Sequence, residues 1–359
     1  MVNKGKNEYK PDVVFPPGDT LQETIDAMGM SQTELATRMN VSEKHINEIV
    51  KGKATISEDT ALRLERVLGI DASFWRNLEN NYRQFLAEKS ERERLSRKKE
   101  LLSKFPLKSM IERGWIQKYN DPIDQLQEVL SFFKVATMDS WESIWVAQAN
   151  FRQSPAFKSN PYAVAAWLRQ GEILAEDIEC STYDKKSLRE ILPELRQLST
   201  QDPEEFMPKI RRLCADCGVA VVFLSELPET RVCGVTRWIR KDKALIQLSD
   251  RYKSDDHFWF TLFHELGHII LHGKKEIFIE EDNKYTDKET EADKFAANRL
   301  IPKKDFKRLV KNGPPSLTDI ENFAKDLQIA PGIVVGRLQH ENYLSFNVGN
   351  KLKQKIELL

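Results

Sequence analysis

The chain has 359 residues, with 55 basic and 55 acidic side chains. This length is sufficient for two or three domains, and the balanced charge gives no overall attraction to nucleic acid or to a membrane surface. No apolar stretch approaches membrane-spanning length, residues 1–18 are polar and contain prolines, and 4 cysteines are too few for a disulfide scaffold. We therefore expect a cytoplasmic protein without a membrane segment or a signal peptide.

Residues 1–18 are predicted to form an N-terminal arm, and residues 19–88 are predicted to fold into five helices. Polar residues that favour helix N-caps precede each apolar segment. The predicted N-caps are Asp19, Ser31, Ser42, Ser57 and Asp71. Ser31 and Glu34 also have the spacing of a capping box, so a helix is expected to open at Gln32.

The second and third helices of this region are short, and Asn40-Val41 joins them in a tight turn. Such a pair is typical of a helix-turn-helix, whose second member enters the major groove of DNA. We predict that Lys44, His45 and Asn47 on that helix read base edges. Further candidates for contact with DNA are Gln32, Ser42, Lys51 and Lys53.

A helical protein-interaction module is the alternative for this region. Residues 1–90 are slightly acidic, and Glu43 and Glu48 would weaken attraction to phosphates. A homodimer would present two such helices to a palindromic operator and would recover affinity through bivalency.

Several short segments of residues 15–88 together carry a family resemblance. They are Pro17-Gly18-Asp19, Met30-Ser31-Gln32-Thr33-Glu34-Leu35-Ala36, Val41-Ser42, Ile46-Asn47-Glu48-Ile49, Gly52-Lys53, Thr60-Ala61-Leu62-Arg63-Leu64 and Phe74-Trp75. This region resembles the HigA-type antitoxin branch of the phage-repressor-like helix-turn-helix family. The resemblance implies a dimer that binds operator DNA and represses transcription, often alongside a toxin partner.

Residues 89–204 are predicted to form a linker helix and a helical domain. The stretch 88–99 is dense in alternating charge, which indicates a solvated helix that bridges two modules. An aromatic group is expected to form the core of the helical domain, with a ligand groove as the alternative. Its members are Trp141, Trp145, Phe151 and Trp167.

The cysteines offer one alternative metal site. Cys214 and Cys217 have zinc-compatible spacing, and Cys180 and Cys233 would complete a set of ligands. Because one such pair at the end of an apolar helix is a weak signal, buried thiols are the preferred interpretation.

Residues 205–345 are predicted to form an α+β domain, and 346–359 a C-terminal tail. Three strand-like segments, 219–224, 232–239 and 244–248, follow a helix and precede two more helices. A last helical pair is expected to open at a capping box formed by Thr318 and Glu321. This order is that of a small zinc peptidase, in which an edge strand pairs with an extended substrate. The predicted fold is mainly α with a small three-stranded sheet.

The strongest motif is the HExxH segment of His264, Glu265 and His268, which lies in an apolar run that predicts a helix over 258–272. Histidines four apart lie on one helix face, so both imidazoles can bind one zinc ion. Glu265 points near the same ion and can take a proton from water there. The sequence therefore predicts a zinc peptidase with Glu265 as the catalytic base.

The third zinc ligand is expected about one helix further on, at Glu289 or Glu291. Glu289 is preferred because it shares a helix face with the small residues Ala292 and Ala296, which permit close approach to the HExxH helix. Asp293 on that face could hold a ligand histidine by its second ring nitrogen. An ordinary amphipathic helix with an acidic start is the alternative.

The residue that stabilises the oxyanion is not evident from the sequence. His272, Arg237 and Tyr252 are candidates for that role or for the lining of the cleft. For His272, which follows His268 by one helical turn, a polar residue satisfied at a helix end is the simpler interpretation.

The run from Trp259 to His272 and the later segments Glu289-x-x-Ala292-Asp293-x-Phe295-Ala296 and Leu300-Ile301-Pro302 carry a second resemblance. Residues 205–345 look like the ImmA/IrrE family of metallopeptidases. The resemblance implies limited proteolysis of repressors of the helix-turn-helix class, which relieves repression after stress.

Three readings of the whole chain follow. The first is a DNA-binding regulator whose zinc peptidase cleaves another repressor or the chain itself. The second is an antitoxin that binds DNA and neutralises a toxin, with a non-catalytic or sensory zinc domain. The third is a protease whose N-terminal module docks onto a repressor by mimicking its dimer partner.

Overall fold

A computed structural model describes residues 14–146, 159–272 and 282–358. The chain divides into two compact units, Met1–Glu100 and Leu101–Leu359. Within the described ranges, no helix combines the length and apolar character that crossing a membrane requires.

The described part of the first unit contains five helices, as predicted. They are α1 (Pro17–Ala27), α2 (Gln32–Met39), α3 (Glu43–Val50), α4 (Glu58–Leu68) and α5 (Ala72–Ser96). The hydroxyl groups of Ser31, Ser42 and Ser57 accept backbone hydrogen bonds at the starts of α2, α3 and α4. These bonds satisfy N–H groups that have no partner within the helix.

The prediction that Asp19 caps the first helix is wrong. The helix α1 begins at Pro17 after the N-cap Pro16, and Asp19 lies within its first turn. Proline is favoured at a first helical position because it lacks an N–H group and already has a helical φ angle. Asp19 still suits its place, since a carboxylate in the first turn interacts favourably with the helix dipole.

The apolar faces of α1 to α5 form the core of the first unit. Its largest fully buried side chains are Leu21, Ile25, Leu35, Ile46, Ile49 and Trp75. The helix α5 continues for 25 residues and ends at Ser96, so most of the charged stretch 88–99, predicted as a bridging helix, is the second half of α5.

Helices and single turns fill the chain between α5 and the sheet, and all but the first two residues of this stretch of helices belong to the second unit. They are a 3-10 turn (Lys99–Lys104), α6 (Leu107–Glu112), α7 (Pro122–Phe132), α8 (Met138–Trp141), a π turn (Glu142–Val146), α9 (Pro161–Glu176), α10 (Lys185–Glu190), α11 (Leu192–Gln197) and α12 (Pro203–Ala215). Trp141, Trp145 and Trp167 are buried, as predicted, whereas Phe151 lies outside the described residues.

The sheet of the second unit comprises β1 (Val219–Phe223), β2 (Gly234–Arg240) and β3 (Lys243–Leu248). The strand order is β1-β3-β2, with β1 parallel and β2 antiparallel to the central strand β3. Side chains alternate between the two faces of a sheet, and every residue of β1 and β3 is buried, so both faces are covered. Ala220, Val222 and Leu245 pack with α9 on one face, and Val221 and Ile246 belong to the main core on the other.

Five helices follow the sheet within the described residues. They are α13 (Asp255–His272), α14 (Asp282–Leu300), α15 (Lys303–Leu309), α16 (Leu317–Leu327) and α17 (Pro331–His340), with a 3-10 turn at Asn350–Leu352. The helix α13 lies in the main core, where Trp259, Leu262, Phe263 and Leu266 are fully buried. Near the C-terminus, Lys355 pairs with Ser254 just before α13, and Ile356 is buried in the same core.

The predicted capping box at Thr318 and Glu321 is wrong by two residues. Ser316 is the N-cap of α16, its hydroxyl accepts from the Asp319 N–H, and the Asp319 carboxylate accepts from the Ser316 N–H. Both pairs have the same spacing, and the helix begins one residue before Thr318.

Candidate functional site

One face of α13 presents the two histidines of the HExxH segment to α14. The Nε2 atoms of His264 and His268 are 2.9 Å apart. The carboxylate oxygens of Glu289 lie 3.1 Å from Nε2 of His264 and 3.3 Å from Nε2 of His268. Ligands that bind a tetrahedral zinc ion at 2.0–2.1 Å are separated by roughly 3.3 Å, so these three atoms fit such an ion. The structure thus brings Glu289, and not Glu291, to the two histidines.

The helix α14 approaches this closely because small residues lie at the contact. Ala292 and Ala296 are fully buried. A Cβ atom on Gly267 would lie 3.4 Å from the Cα atom of Ala292 and 3.1 Å from the Phe295 ring. The sequence prediction included the two alanines but not Gly267. This glycine could have been identified from its position within the HExxH segment.

Each histidine also has a partner on its other ring nitrogen. The Nδ1 atom of His264 is 2.9 Å from a carboxylate oxygen of Asp293. The Nδ1 atom of His268 is 3.0 Å from Nδ1 of His272, whose Nε2 is 3.2 Å from a carboxylate oxygen of Glu291. Both imidazoles are therefore held on the side that faces away from Glu289.

The charges of this cluster support one another. Burial alone lowers the pKa of His264, but hydrogen bonds with Asp293 and Glu289 outweigh burial and raise that pKa to about 10. Burial raises the pKa of Glu289, but hydrogen bonds from His264 and His268 outweigh it and hold the pKa well below its ordinary value. The cluster therefore pairs a proton on His264 with an ionised Glu289, and a cation can take the place of that proton.

Glu265 lies on the side of α13 that faces β2. The residue is 6% exposed. A Cβ atom on Gly234 would lie 3.0 Å from its Oε1, and the Thr236 hydroxyl donates to its backbone oxygen at 3.0 Å. The start of β2 thus fixes the backbone of Glu265 and lies against its carboxylate. Gly234 and Thr236 were not identified from the sequence, because only the tertiary fold brings them to α13.

The other candidates for this site lie apart from it or contact it indirectly. Arg237 forms an ion pair with Glu172 of α9 and lies 5.5 Å from the Trp145 ring centroid. It follows Thr236, so it projects from the opposite face of the sheet. Tyr252 is half exposed before the start of α13 and stacks on the His257 ring. The structure brings neither of them to His264 or His268, whereas it brings His272 to His268.

The cysteines form no second metal cluster. Among the described residues, the one group of potential metal ligands is His264, His268 and Glu289. Burial raises the pKa of the Cys214, Cys217 and Cys180 thiols, and burial with the charges of Glu226 and Glu265 raises that of Cys233 to about 11. Protonated, buried thiols are poor zinc ligands, since the thiolate is the form that binds.

The helix-turn-helix candidates lie on α2, on α3 and in the turn after α3. Asn47 donates to the Gln32 side chain at 3.2 Å, and Gln32 donates to Gln22 at 2.6 Å. Lys44 is largely exposed and forms a loose pair with Glu48 at 3.8 Å. Ser42, Lys51 and Lys53 are exposed, and His45 is partly buried. The structure therefore brings Gln32 to Asn47 and leaves the three lysines accessible.

Both the N-terminal and the C-terminal region match known protein families. Residues 21–75 match the helix-turn-helix family, and residues 214–339 match the Peptidase_M78 family, described as the IrrE N-terminal-like domain. Virulence-associated protein I of Dichelobacter nodosus is 42% identical over 85 residues, which are 23% of this chain and 76% of that protein. The uncharacterized HTH-type transcriptional regulator YddM of Escherichia coli strain K12 is 32% identical over 74 residues, covering 21% of this chain and 79% of the relative.

Solved structures also match part of this chain. Pseudomonas aeruginosa antitoxin HigA with the higBA promoter is 34% identical, with a TM-score of 0.21, over 21% of this chain and 84% of that one. PA4674 of Pseudomonas aeruginosa, in complex with its operator DNA, is 33% identical, with a TM-score of 0.21, over 22% of this chain and 85% of that one. The chain therefore belongs to the helix-turn-helix family through its N-terminal unit and carries in its C-terminal unit a domain of the Peptidase_M78 family.

Proposed function

We propose that the protein is a DNA-binding transcriptional regulator whose C-terminal domain is a zinc-dependent endopeptidase. The substrate class is a repressor with a helix-turn-helix, either another protein or a second copy of this chain, and its cleavage relieves repression. The observation that carries the proposal is the cluster of His264, His268 and Glu289, with the buried Glu265 between the two histidines in the same helix.

The residues suit amide hydrolysis. Zinc held by His264, His268 and Glu289 would supply a Lewis acid that polarises the scissile carbonyl and lowers the pKa of a water molecule. Glu265 accepts the proton of the attacking water and later delivers it to the amine that leaves when the C–N bond breaks. A site whose zinc served only to hold the fold together would not require a buried glutamate between its two histidine ligands.

The sheet offers a place for an extended peptide. The strand β2 is an edge strand of the described sheet, and it begins at Gly234, next to Glu265. A substrate that adds to this edge through main-chain hydrogen bonds would carry its scissile bond past Glu265. Backbone pairing of this kind is consistent with a segment that must be unfolded or locally opened before it is cut.

For the N-terminal unit, the family match and the accessible lysines near α3 support operator binding. We propose that a homodimer places two copies of α3 in successive major grooves, with Asn47 supported by Gln32. The antitoxin alternative, in which a toxin is neutralised by contact, is the second candidate, because the sequence of residues 15–88 resembles HigA-type antitoxins.

The test separates metal binding from hydrolysis. Purified wild-type protein should contain about one zinc ion per chain, and the His264→Ala/His268→Ala double variant should contain none. Glu265→Gln should keep its zinc but lose hydrolysis, since the amide cannot accept the proton. Zinc content is measured by mass spectrometry of the metal, with unfolding curves as the control for folding.

Hydrolysis is followed with two substrates. The first is tagged Glu265→Gln protein mixed with untagged wild type, which reports cleavage of this chain in trans. The second is the cellular proteome, in which new N-termini are compared between wild-type and Glu265→Gln strains. Full zinc occupancy in the double variant would refute the site. New N-termini in neither assay would refute the peptidase and favour the antitoxin candidate.

A further inference from the structure

The two candidate zinc ligands on α13 have different outer partners. His264 faces the Asp293 carboxylate through Nδ1, which is the usual arrangement for a histidine that binds a metal. His268 instead faces another imidazole, since its Nδ1 atom is 3.0 Å from Nδ1 of His272. His272 is largely buried, and Glu291 at its far side is exposed. An imidazole in this place requires a definite arrangement of protons.

That arrangement can be derived from the hydrogen-bond partners. Carboxylate oxygens accept hydrogen bonds, so the 3.2 Å contact between His272 and Glu291 is satisfied by a proton on Nε2 of the ring. A neutral imidazole carries one N–H group, so Nδ1 of His272 is an acceptor. The proton in the contact between the two rings therefore lies on Nδ1 of His268. This leaves a lone pair on Nε2 of His268, which faces Glu289 and His264.

We propose that His272 and Glu291 are positioning residues that fix His268 as the Nδ1–H tautomer, with its Nε2 lone pair directed into the metal site. This inference rests on the proposed function, because it assigns an outer shell to one of the proposed ligands. The spacing explains how one helix supplies all three rings, since His264, His268 and His272 follow one another at intervals of one turn on the same face. The Glu291 carboxylate contacts His268 only through His272, whereas the Asp293 carboxylate contacts His264 directly.

The first measurement is the tautomer itself. Histidine nitrogens are labelled with 15N, and the couplings between ring nitrogens and ring protons are read in the metal-free full-length protein at about pH 8, above the ordinary histidine pKa. His268 should be the Nδ1–H form, and His272 the Nε2–H form. An Nε2–H form for His268 would overturn the proposal, whether or not the protein binds zinc.

The second measurement is the affinity for zinc, determined by competition with a chromophoric chelator. His272→Ala should weaken zinc binding by about 10–100-fold, the range expected when an outer partner of a ligand is lost. His272→Asn should recover much of that loss, because the amide oxygen can accept the same hydrogen bond from His268. Glu291→Ala should weaken binding, whereas Asp287→Ala, which removes another exposed carboxylate of α14, should not.

The outcomes separate the role of His272 from the existence of the zinc site. Unchanged zinc affinity in His272→Ala would overturn the positioning role of His272 and Glu291 and leave the zinc site intact. Equal loss in His272→Ala and His272→Asn would also overturn it, because shape rather than hydrogen bonding would then be responsible. Failure of the wild type to bind zinc would refute the proposed function. The tautomer measurement would still show whether His272 and Glu291 fix the tautomer of His268.

Discussion

The imidazole of His264 makes metal binding dependent on pH. Its pKa in the metal-free protein is raised to about 10, so the ring is protonated at neutral pH. Zinc requires the neutral ring, and binding should therefore displace a proton from His264. We expect proton release near pH 7 and an apparent zinc affinity that rises with pH until about pH 10. Calorimetry in buffers of different ionisation enthalpy measures the number of protons released.

The same group contributes to stability with a definite sign. Because the folded pKa lies above the ordinary value of 6.5, the contribution is complete below pH 6.5 and is lost as the pH rises through about 10. Asp293→Asn, which keeps a hydrogen-bond acceptor but removes the charge, should release fewer protons and flatten this dependence. Proton release unaffected by Asp293→Asn would show that the raised pKa does not come from this pair.

Asn47 and Lys51 should affect DNA binding in different ways. Asn47→Ala should cost about 1–3 kcal/mol on an operator selected from random duplexes by the full-length protein, and little on random DNA. Lys51→Ala should weaken binding to both and reduce the salt dependence of affinity, because a lysine beside phosphates displaces counterions. Fluorescence anisotropy over a series of salt concentrations measures both effects. Equal losses on the two kinds of DNA for Asn47→Ala would contradict a base-reading role.

The approach of β2 to α13 depends on a glycine. A Cβ atom on Gly234 would lie 2.5 Å from the Thr261 methyl group and 3.0 Å from a carboxylate oxygen of Glu265. Gly234→Ala should therefore shift the strand or the glutamate, lower the free energy of unfolding by about 1–3 kcal/mol, and reduce hydrolysis. Zinc content should not change, because Glu265 is not a proposed ligand. Chemical denaturation and metal analysis of one preparation test this, and loss of zinc would contradict it.

The contrast between motif and fold explains what the sequence could predict. The HExxH spacing is local, so the helix, the two histidines and the face of α14 that carries Glu289 and Asp293 follow from helical periodicity. The three strands were located to within about two residues, but their order and the parallel pairing of β1 with β3 depend on contacts between distant segments. Arg237 was misplaced for this reason. The residues of a strand do not determine which of its two faces packs against a given helix.

The N-cap of a helix is also only partly predictable from sequence. Ser31 and Ser42 cap the helices that were predicted from them. At α16, Ser316 and Thr318 both have an acidic residue three positions later, and the structure uses Ser316. Spacing alone cannot choose between two equivalent pairs.

The two compact units divide the chain at Glu100, after the end of α5. The candidate DNA contacts lie in the first unit, and the proposed zinc ligands with Glu265 lie in the second. Each unit has its own buried core, so a substitution in one core is not expected to unfold the other. Operator binding and hydrolysis should thus be separable by mutation.

This separation predicts the behaviour of Glu265→Gln in the cell. The variant should bind the operator within a few-fold of the wild-type affinity, because the change is isosteric and lies outside the helix-turn-helix. Relief of repression should nevertheless be lost, since cleavage of the repressor is the proposed switch. A reporter on the native promoter is compared between wild-type and Glu265→Gln strains, before and after DNA damage or amino-acid starvation.

The control is the His264→Ala/His268→Ala double variant, which removes the metal site by a different route and should give the same reporter response. Immunoblots establish that all three proteins accumulate equally, so that loss of a response is not loss of protein. If all three strains relieve repression alike, hydrolysis is not the switch. The C-terminal domain would then act without turnover, as the antitoxin candidate requires.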